Sequence, residues 1–505
     1  MPRVVDELVT WPRGGGYALL FVDPAASVWL STTDAAMTFG REPVSAVRHD
    51  ERNGVLMRSR CRRGARGVAA LVLVLGTAAC EADTTGDDSD QPRGEPQTET
   101  SQPDTAAAAG SGSEQIAGPN GQALSFTDVE VPSPDKASEA SLVVERTLDD
   151  EADIDATVGV LAVAPDGDVL VSRSHRSDYD AASEQLIASG RVGIWTVDGI
   201  EDLGSTEDLV PGDPYRQVVS GVFADGSVAW KETASVNLGT SDWRMFRHDL
   251  DGGAPEVLAR SEDVFPAGGL ARAVGGSILA TVGNRVAWHT TYEREDGTLR
   301  TKVVSVPVSG GELRTEADLV AMPAGADAGW VTLRMVDATV EGVAKDYQIQ
   351  DPRRASGIEL LEPGGTAREL IRFPLGTDDD WAVGRIAAGG DIYAWDMGEH
   401  VYVASIDGSV AYRLIQPEGA TLDPYGLAVC DSRVAWSVTS GQGEGPNDIF
   451  VLDPQTGEVF LLPTENNPSG DITCGGEHIA WTEIEDSNGT DIYTVTLARW
   501  QTTAR

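Results

Sequence analysis

A short motif of two apolar residues and a tryptophan recurs between residues 228 and 481, and it constrains the fold more than any other feature. Each copy follows a short apolar run and a tight turn. The five complete copies are Val228-Ala229-Trp230, Val286-Ala287-Trp288, Tyr393-Ala394-Trp395, Val434-Ala435-Trp436 and Ile479-Ala480-Trp481. Degenerate copies at 168–171 and 341–344 bring the number to seven. Such recurrence of short β-type segments predicts a repeat architecture.

A second unit alternates with the first along the chain and consists of two strands joined by a glycine turn. Glycine supplies the positive φ that tight hairpin turns require. The turns lie at Asp198-Gly199, Asp251-Gly252, Ser309-Gly310, Pro363-Gly364, Asp407-Gly408 and Gln455-Thr456-Gly457. Together the two units give four antiparallel strands per repeat, which is the plan of a β-propeller blade.

The repeat count also predicts how the ring closes. Seven first units alternate with only six glycine turns, and the last repeat ends in a single strand at 491–497. A seventh blade would therefore lack its outer strand. We expect residues 142–146 to supply that strand and to protect the sheet edge. The sequence predicts an all-β propeller over 141–498, with seven four-stranded blades closed by an N-terminal strand; six or eight blades are the alternatives.

The last two repeats resemble the TolB-like propeller family. The resemblance rests on Arg433-Val434-Ala435-Trp436, Asn447-Asp448-Ile449-Phe450, Thr456-Gly457-Glu458, Ile479-Ala480-Trp481, Thr490-Asp491-Ile492-Tyr493 and the Ala164-Pro165-Asp166-Gly167 turn. It implies an exported protein with a protein-binding or scaffolding role, and it brings no catalytic residue.

The only long apolar run, 68–79, lies near the N-terminus behind a cluster of arginines. It is too short for a membrane-spanning helix, which needs about 20 residues, but it fits the apolar region of a secretory signal. Thr77-Ala78-Ala79-Cys80 resembles the bacterial lipobox, which implies that Cys80 is lipidated and becomes the mature N-terminus. An ordinary cleaved signal and a buried helix with an incidental Cys are the alternatives.

The segments around this signal complete the predicted domain map. Residues 1–56 are rich in acids where a signal should be basic, and Met57 directly precedes the arginines, so we interpret 1–56 as an over-extended gene start and 57–79 as a lipoprotein signal peptide. Residues 80–118 are acidic and carry no aromatic residue, which predicts a disordered tether. A lead-in segment at 119–140 precedes the propeller.

The charge balance excludes some classes of partner. The chain has 38 Lys and Arg against 80 Asp and Glu, a net charge of −42. Residues 1–79 hold more basic than acidic residues, so the mature chain is still more acidic. We therefore expect no nucleic-acid partner and no contact with a membrane except through the lipid at Cys80. The preference for Arg over Lys is typical of high-GC genomes, and together with the lipobox it resembles actinobacterial exported lipoproteins.

Motifs for catalysis and metal binding are absent from the sequence. There is no Gly-x-Ser-x-Gly elbow, phosphate loop or Cys-x-x-Cys, and the six His show no metal-binding spacing. We therefore expect no cofactor, no metal and no identifiable catalytic residue. Cys430 and Cys474 occupy similar places in neighbouring repeats. They either form a disulfide, which an exported protein permits, or remain two buried thiols.

Propellers usually bind through loops on one face, and the loops after the Trp strands vary most. Tyr and Arg, which are enriched at interfaces, occur in three of these loops. The candidate binding residues are His175, Arg176, Tyr179, Tyr292, Arg294, Tyr347, Arg353 and Arg354. We expect a monomeric, lipid-anchored propeller on the outer face of the cytoplasmic membrane that binds a protein or glycan without catalysis. The alternative is an extracytoplasmic carbohydrate-active enzyme, a lyase or hydrolase, with its site in the propeller channel.

Overall fold

A computed structural model of the chain divides it into two units, 1–111 and 112–505. In the first unit the structure describes only the backbone of a small antiparallel sheet of β1 (Leu8–Thr10), β2 (Tyr17–Phe21) and β3 (Trp29–Thr32). In the second unit it describes residues 116–149, 156–175, 191–206, 209, 217–233, 243–264, 278–293, 299–336, 355–362, 364–374, 383–439, 447–486 and 491–501. The signal segment and Cys80 lie outside the described residues, as does the tether up to residue 115.

The second unit is a seven-bladed β-propeller, as the repeats predict. Each blade is an antiparallel sheet whose strands A to D run from the inner to the outer edge. The inner strands of consecutive blades contact one another around the whole ring. Blade 1 comprises β7 (Ala156–Val163), β8 (Val169–His175), β9 (Arg191–Thr196) and β10 (Gly199–Asp202); blade 2, β11 (Gln217–Ala224), β12 (Ser227–Thr233), β13 (Trp243–Asp249) and β14 (Glu256–Arg260); blade 3, β15 (Ala280–Val282), β16 (Arg285–Glu293), β17 (Leu299–Pro307) and β18 (Arg314–Asp318); blade 4, β19 (Val320–Ala326), β20 (Gly329–Met335), β21 (Ala355–Glu362) and β22 (Thr366–Arg372); blade 5, β23 (Val383–Gly389), β24 (Ile392–Met397), β25 (His400–Ser405) and β26 (Ala411–Ile415); blade 6, β27 (Thr421–Cys430), β28 (Arg433–Thr439), β29 (Asn447–Asp453) and β30 (Glu458–Leu461); and blade 7, β31 (Asn467–Gly475), β32 (His478–Asp486), β33 (Asp491–Trp500) and β6 (Leu142–Asp149).

Ring closure follows the prediction from the strand count. Strand β6 pairs antiparallel with β33 from Leu142 opposite Trp500 to Asp149 opposite Thr494. The N-terminal strand thus completes the last blade, and pairing between the two ends of the domain holds the ring shut.

The segment before β6 covers the outer edges of three more blades, and we name residues 116–140 the belt. Ala117 exchanges backbone hydrogen bonds of 2.9 and 2.8 Å with Arg372 on blade 4. Strand β4 (Thr127–Glu130) then pairs parallel with β26 of blade 5, and β5 (Ser138–Glu139) pairs parallel with β30 of blade 6. Ile116, which the sequence assigns to the end of the tether, is buried in the core beside blades 4 and 5. The belt therefore covers sheet edges that would otherwise be open for pairing.

The repeated tryptophans pack between blades. Along a strand, side chains alternate between the two faces of the sheet. Trp288 lies with blade 2 residues in one cluster, whereas the preceding Ala287 lies with blade 4 residues in another. The Trp of each complete copy packs in this way against the preceding blade and is at most 1% exposed. The tryptophans are therefore inter-blade core and present no stacking surface for a carbohydrate.

Blade 4 departs from the predicted register. The sequence places its second strand at 341–344, but the strand is Gly329–Met335, and 341–344 lies outside the described residues, in the connection that follows this strand. Trp330 comes two positions closer to the preceding turn than the Trp of the other blades. It still packs against blade 3. The search for an apolar-apolar-Trp triplet missed it for that reason.

The two cysteines lie at corresponding ends of the inner strands of blades 6 and 7. The structure joins Cys430 and Cys474 in a disulfide, with Cα atoms 5.0 Å apart, a separation that disulfide geometry allows. Gly475 follows directly, and a Cβ there would overlap the backbone of Val163 in blade 1. Inner strands approach closely at this edge of the ring.

Helix is nearly absent from the described part of the chain. The single short helix α1 (Ser261–Val264) follows the outer strand of blade 2. None of the described helical structure is long and apolar enough to cross a bilayer.

Candidate functional site

The two faces of the propeller differ in their connections. On one face, which we name the turn face, strands A and B and strands C and D are joined by short turns, the longest at 250–255 and 308–313. On the opposite loop face, strands B and C and successive blades are joined. These connections include 176–190, 265–277 and 337–354, all outside the described residues. The long connections, where changes in sequence disturb a scaffold least, therefore join strands on the loop face.

The predicted binding residues belong to B–C connections of blades 1, 3 and 4 and to the strand ends beside them. The backbone places His175 as the last residue of β8 and Tyr292 opposite Arg300 near the end of β16. The remaining predicted residues, Arg176, Tyr179, Arg294, Tyr347, Arg353 and Arg354, lie outside the described residues. The two residues with a described backbone, His175 and Tyr292, thus lie at strand ends next to the loop face.

The inner strands of blades 4 to 7 each contain a bulge near the loop face. Their registers shift at 321–324, 383–386, 422–427 and 468–472. Opposite each bulge, the second strand carries a small polar residue. These residues are Thr332, Asp396, Ser437 and Thr482, all buried. Bulges re-aim side chains and are frequent beside functional sites, so we take those of blades 4 to 7 as the candidate site. The inner strands of blades 1 and 2 also shift register, at 160–162 and 218–220.

In blade 5 the bulge is built around a buried carboxylate. The backbone N–H of Arg385 donates to Oδ1 of Asp396. A Cβ on Gly384 would overlap the same carboxylate, so this position requires glycine. Burial raises the pKa of Asp396 from 3.8 to about 6, although the backbone hydrogen bond and the charge of Arg385 favour its ionised form. An acid in this range changes protonation near neutral pH.

The bulges of blades 6 and 7 bring further charged residues to the same place. Asp471 interacts electrostatically with Arg385 of blade 5 and with Asp423 of blade 6. The three residues come from the loop-face ends of three consecutive inner strands, which contact one another. Surrounding protein raises the pKa of Asp471, yet its side chain is solvent-exposed. A residue lining the central channel has both properties. We name Arg385, Asp396, Asp423 and Asp471 the channel cluster.

A buried hydroxyl lies in the second strand of blade 6. Ser437 is fully buried in β28, and its Oγ has no hydrogen-bond partner. Ala435, on the same face of that strand, packs in the core shared with blade 7. Strand alternation therefore directs Ser437 toward blade 7, whose inner-strand bulge carries Asp471. Buried hydroxyls are usually hydrogen-bonded, so this one has unused bonding capacity.

A second group of buried polar residues lies across the ring in blades 2 and 3. Burial lowers the pKa of Lys231 to about 7. Burial and the nearby Lys231 lower the pKa of His289 to about 3, so this imidazole is neutral. Its Nδ1 accepts a hydrogen bond of 3.3 Å from the backbone N–H of Met322 in the bulge of blade 4. His289 thus supports the neighbouring bulge. Within the described ranges, no His, Cys, Asp and Glu side chains are grouped to hold a metal ion.

Sequence reasoning missed the channel cluster. Arg385, Asp423 and Asp471 lie in bulges, which break the strand alternation on which the repeat pattern depends, and Asp396 lies opposite one of them. One signal was present, because the residue after the Trp of every complete copy is polar (Lys231, His289, Asp396, Ser437 and Thr482). Burial of a polar group costs free energy unless the group is hydrogen-bonded. A polar residue repeated at one position of a buried strand therefore indicates a role in the fold or in ligand binding.

Comparison with known proteins identifies no family. No protein-family model matches the chain, and no relative was found among curated proteins. Among solved structures, a mutant puromycin hydrolase is 14% identical, with a TM-score of 0.41, and the match covers 72% of this chain but 54% of that one. The chain therefore spans about half the length of that hydrolase.

Two further solved structures match over most of their length. The β-propeller domain of the Trilobed protease from Pyrococcus furiosus is 7% identical, with a TM-score of 0.43, over 69% of this chain and 99% of that one. A protein assigned as TolB from Agrobacterium tumefaciens is 10% identical, with a TM-score of 0.28, over 69% and 91%. At these identities the likeness concerns the fold alone, and the chain is a seven-bladed β-propeller.

Proposed function

We propose that this chain is a lipid-anchored, extracytoplasmic binding protein that engages its partner with the loop face of the propeller and performs no catalysis. For the partner, we favour a protein over a glycan. The lipid at Cys80 would hold the propeller at the outer face of the cytoplasmic membrane. The observation that carries the proposal is the asymmetry of the two faces.

The two faces differ in how freely the sequence of their connections can change without disturbing the propeller. The turn face consists of short hairpin turns, which pairing on both sides fixes. The loop face carries connections such as 176–190 and 337–354, which hold Tyr and Arg residues of the kind enriched in interface anchors. The same face is the side on which the inner strands bulge and the channel cluster lies. Binding residues are commonly placed on loops held by a rigid scaffold.

The proposal is tested by capturing a partner from membranes and asking whether the capture requires the loop face. The full chain carries an affinity tag, and membranes are crosslinked before mass spectrometry. In one variant, a short Gly-Ser segment replaces 337–354; in the control, a Gly-Ser segment of equal length replaces the turn 250–255. We expect one protein to be recovered with the unmodified chain and the control and lost with the loop variant. Recovery that survives replacement of the loop would overturn the proposal.

A channel enzyme is the second candidate, and one observation favours it. Burial raises the pKa of Asp396 to about 6, and two further carboxylates, Asp423 and Asp471, lie in the inner-strand bulges of the next two blades. Carboxylates whose environments separate their pKa values can divide acid and base roles in glycan cleavage. Turnover of an extracellular glycan that is lost on Asp396→Asn substitution, together with failure to capture a partner, would establish this reading instead.

A further inference from the structure

We propose that the interface between blades 2 and 3 binds a carboxylate group at its loop-face end, held by hydrogen bonds from two tryptophan indoles and two threonine hydroxyls. We name Thr233, Trp243, Trp288 and Thr290 the donor site. The carboxylate belongs to a small free acid or to an acidic side chain of a protein. The site does not depend on the proposed function, because it requires only these donors.

The four donors lie on the two sheet surfaces that pack against each other between blades 2 and 3. The rings of Trp243 and Trp288 meet edge to face across this interface, with centroids 5.2 Å apart, in a core cluster that both blades share. Thr233 is the cross-strand neighbour of Trp243, so it lies on the same face of blade 2. Thr290 follows Trp288 by two residues, so strand alternation puts it on the same face of blade 3.

Both hydroxyls lie at the loop-face end of this interface. Strands β12 and β16 run from the turn face to the loop face. Thr233 is the third residue after Trp230, and Thr290 is the second after Trp288, the equivalent Trp of its own blade. The heights of the two hydroxyls in the interface therefore differ by one strand residue, about 3.3 Å.

None of the four donors has a hydrogen-bond partner in the described part of the chain. All four side chains are at most 1% exposed, and each of the two indole Nε1 atoms and the two hydroxyl Oγ1 atoms is buried without a partner. Buried polar groups are nearly always hydrogen-bonded, and they cost free energy when they are not. Four such atoms on one interface therefore point to an acceptor that the described residues do not supply.

Blades 2 and 7 show which acceptor this kind of donor set holds. In blade 2 the indole of Trp230 donates to Glu232 at 2.8 Å, and the hydroxyl of Thr206 lies 3.1 Å from each oxygen of the same carboxylate. Blade 7 repeats the bond between its Trp and the glutamate two residues later. In blade 3 that position holds Thr290, whose side chain is shorter and uncharged. A ligand carboxylate would have in blade 3 the role of the glutamate in blade 2.

Positive charge on the same surfaces favours an anion over a neutral acceptor. Lys231 lies two residues before Thr233 on the same face of β12, and Lys302 is the cross-strand neighbour of Thr290. The chain has only four lysines, so two on one interface are a local concentration in an acidic protein. Asp318, opposite Lys302 on β18, offsets part of this charge. A carboxylate bound beside Lys231 would favour its charged form, which burial disfavours.

Nuclear magnetic resonance of the indole N–H groups tests the site on the full chain, isotope-labelled at its tryptophan nitrogens. The probes are sodium acetate and its neutral analogue acetamide, and Trp243→Phe and Trp288→Phe chains assign the two signals. We expect acetate to shift the signals of Trp243 and Trp288 downfield. The signal of Trp230, which already donates to Glu232, is the internal control and should not move. Shifts of equal size with acetamide would overturn the proposal.

A capped pentapeptide with a central Glu, and its match with a central Gln, distinguish the two sources of the carboxylate. If the Glu peptide shifts both signals at lower concentration than acetate does, the ligand is an acidic side chain of a protein. If acetate shifts them and the Glu peptide does not, the ligand is a small free acid. No shift with either probe would overturn the proposal.

Removal of single hydroxyls locates the binding. Thr233→Val and Thr290→Val change the side-chain volume little, and each should weaken binding of the effective probe about threefold to tenfold. Because neither hydroxyl is hydrogen-bonded to a described residue, both variants should remain folded. Thr301→Val is the matched control, since Thr301 is buried on the opposite face of blade 3, and it should change affinity less than about twofold. Unchanged affinity in both folded variants would contradict the site.

The substitution Thr290→Glu supplies the carboxylate from the chain itself, at the position that Glu232 has in blade 2. We expect it to move the Trp288 signal toward that of Trp230 and to abolish the shifts that the effective probe causes. Chemical denaturation shows whether the variant is folded. A folded Thr290→Glu chain that binds the probe with wild-type affinity would mean that the probe binds elsewhere and would overturn the site.

Discussion

The indole Nε1 of Trp481 donates a hydrogen bond of 2.7 Å to Oε1 of Glu483, two residues further along the same strand. The other carboxylate oxygen, Oε2, accepts from the backbone N–H groups of Glu465 and Asn466, at 3.0 and 2.6 Å. Trp230 and Glu232 repeat the indole–carboxylate bond in blade 2, at 2.8 Å. The carboxylate thus satisfies a buried indole and holds the connection between blades 6 and 7 against blade 7.

The substitution Glu483→Gln should weaken this junction. Both oxygens of Glu483 accept hydrogen bonds from N–H groups. In glutamine an NH2 group replaces one of these oxygens, so two hydrogen-bond donors would face each other there. We expect the free energy of unfolding to fall by about 1–3 kcal/mol. Chemical denaturation followed by tryptophan fluorescence measures it. Glu485→Gln, at an exposed position of the same strand, is the matched control, and an equal loss in both variants would argue against the role of the hydrogen bonds.

Arg146 should matter more to ring closure than its partial exposure suggests. It donates from β6 in blade 7 to the carbonyls of Gly167 and Trp195 in blade 1, and its guanidinium lies 5.0 Å from the Trp195 ring centre. We expect Arg146→Gln to lower stability by about 1–2 kcal/mol. Hydrogen exchange should accelerate first at the backbone amides of β6.

Arg499→Gln is the control for that substitution. Arg499 also lies at the β6 junction, but it forms an exposed ion pair of 2.8 Å with Glu145, and such pairs contribute little. If both variants lower the free energy of unfolding by the same amount, the contacts of Arg146 between blades 7 and 1 do not contribute specifically to ring closure.

The seven-bladed ring was predictable because propeller repeats leave a countable pattern. A missing outer strand in the last repeat and an unpartnered strand at 142–146 left one simple pairing, and the two strands pair in the structure. The belt was not predictable from the same pattern. Its strands β4 and β5 are short and largely exposed, so they carry too little apolar alternation to be recognised as strands.

The candidate site was harder to predict than the fold for a related reason. Asp423 and Asp471 lie in bulges, where a register shift removes the spacing that ties a sequence position to a face of the sheet. Ser437 looks like any small strand residue until its burial and lack of a partner are known. The composition could show only that the chain is acidic, and convergence of particular acids required the three-dimensional register.

The disulfide between Cys430 and Cys474 should resist reduction in the folded protein. Cys430 is fully buried and Cys474 is partly buried, so a reductant has only restricted access to the bond. Peptide mapping by mass spectrometry of unreduced, denatured protein should recover the two cysteines in one linked fragment. Two separately alkylated cysteines under these conditions would show free thiols instead.

Removal of this disulfide should lower stability substantially. The bond closes a loop with a sequence separation of 44 residues, for which the chain-entropy model gives about 4 kcal/mol. Cys430→Ala combined with Cys474→Ala avoids an unpaired thiol, and its denaturation midpoint should fall accordingly. The reduced wild-type protein is the control, and it should unfold at a similar denaturant concentration.

Asp396→Asn should stabilise the propeller at neutral pH and flatten its pH dependence. The folded-state pKa of Asp396 is raised from 3.8 to about 6 by burial. Between these values the folded protein keeps a proton that the unfolded chain releases, so the contribution of this group to stability falls as pH rises from about 4 to 6 and stays low above that. Asparagine has no charge to bury, and its Oδ1 can still accept from the backbone N–H of Arg385. The gain at pH 7.5 should therefore approach, but not exceed, about 3 kcal/mol, measured by denaturation at several pH values.

Asp391→Asn, in an exposed turn of the same blade, is the control that shows the general effect of removing one acid. The prediction is wrong if the stability of the Asp396 variant and of the wild type changes in parallel between pH 4 and 6. Asp396 would then stay ionised in the folded protein, stabilised by more positive charge than Arg385 and its backbone N–H provide.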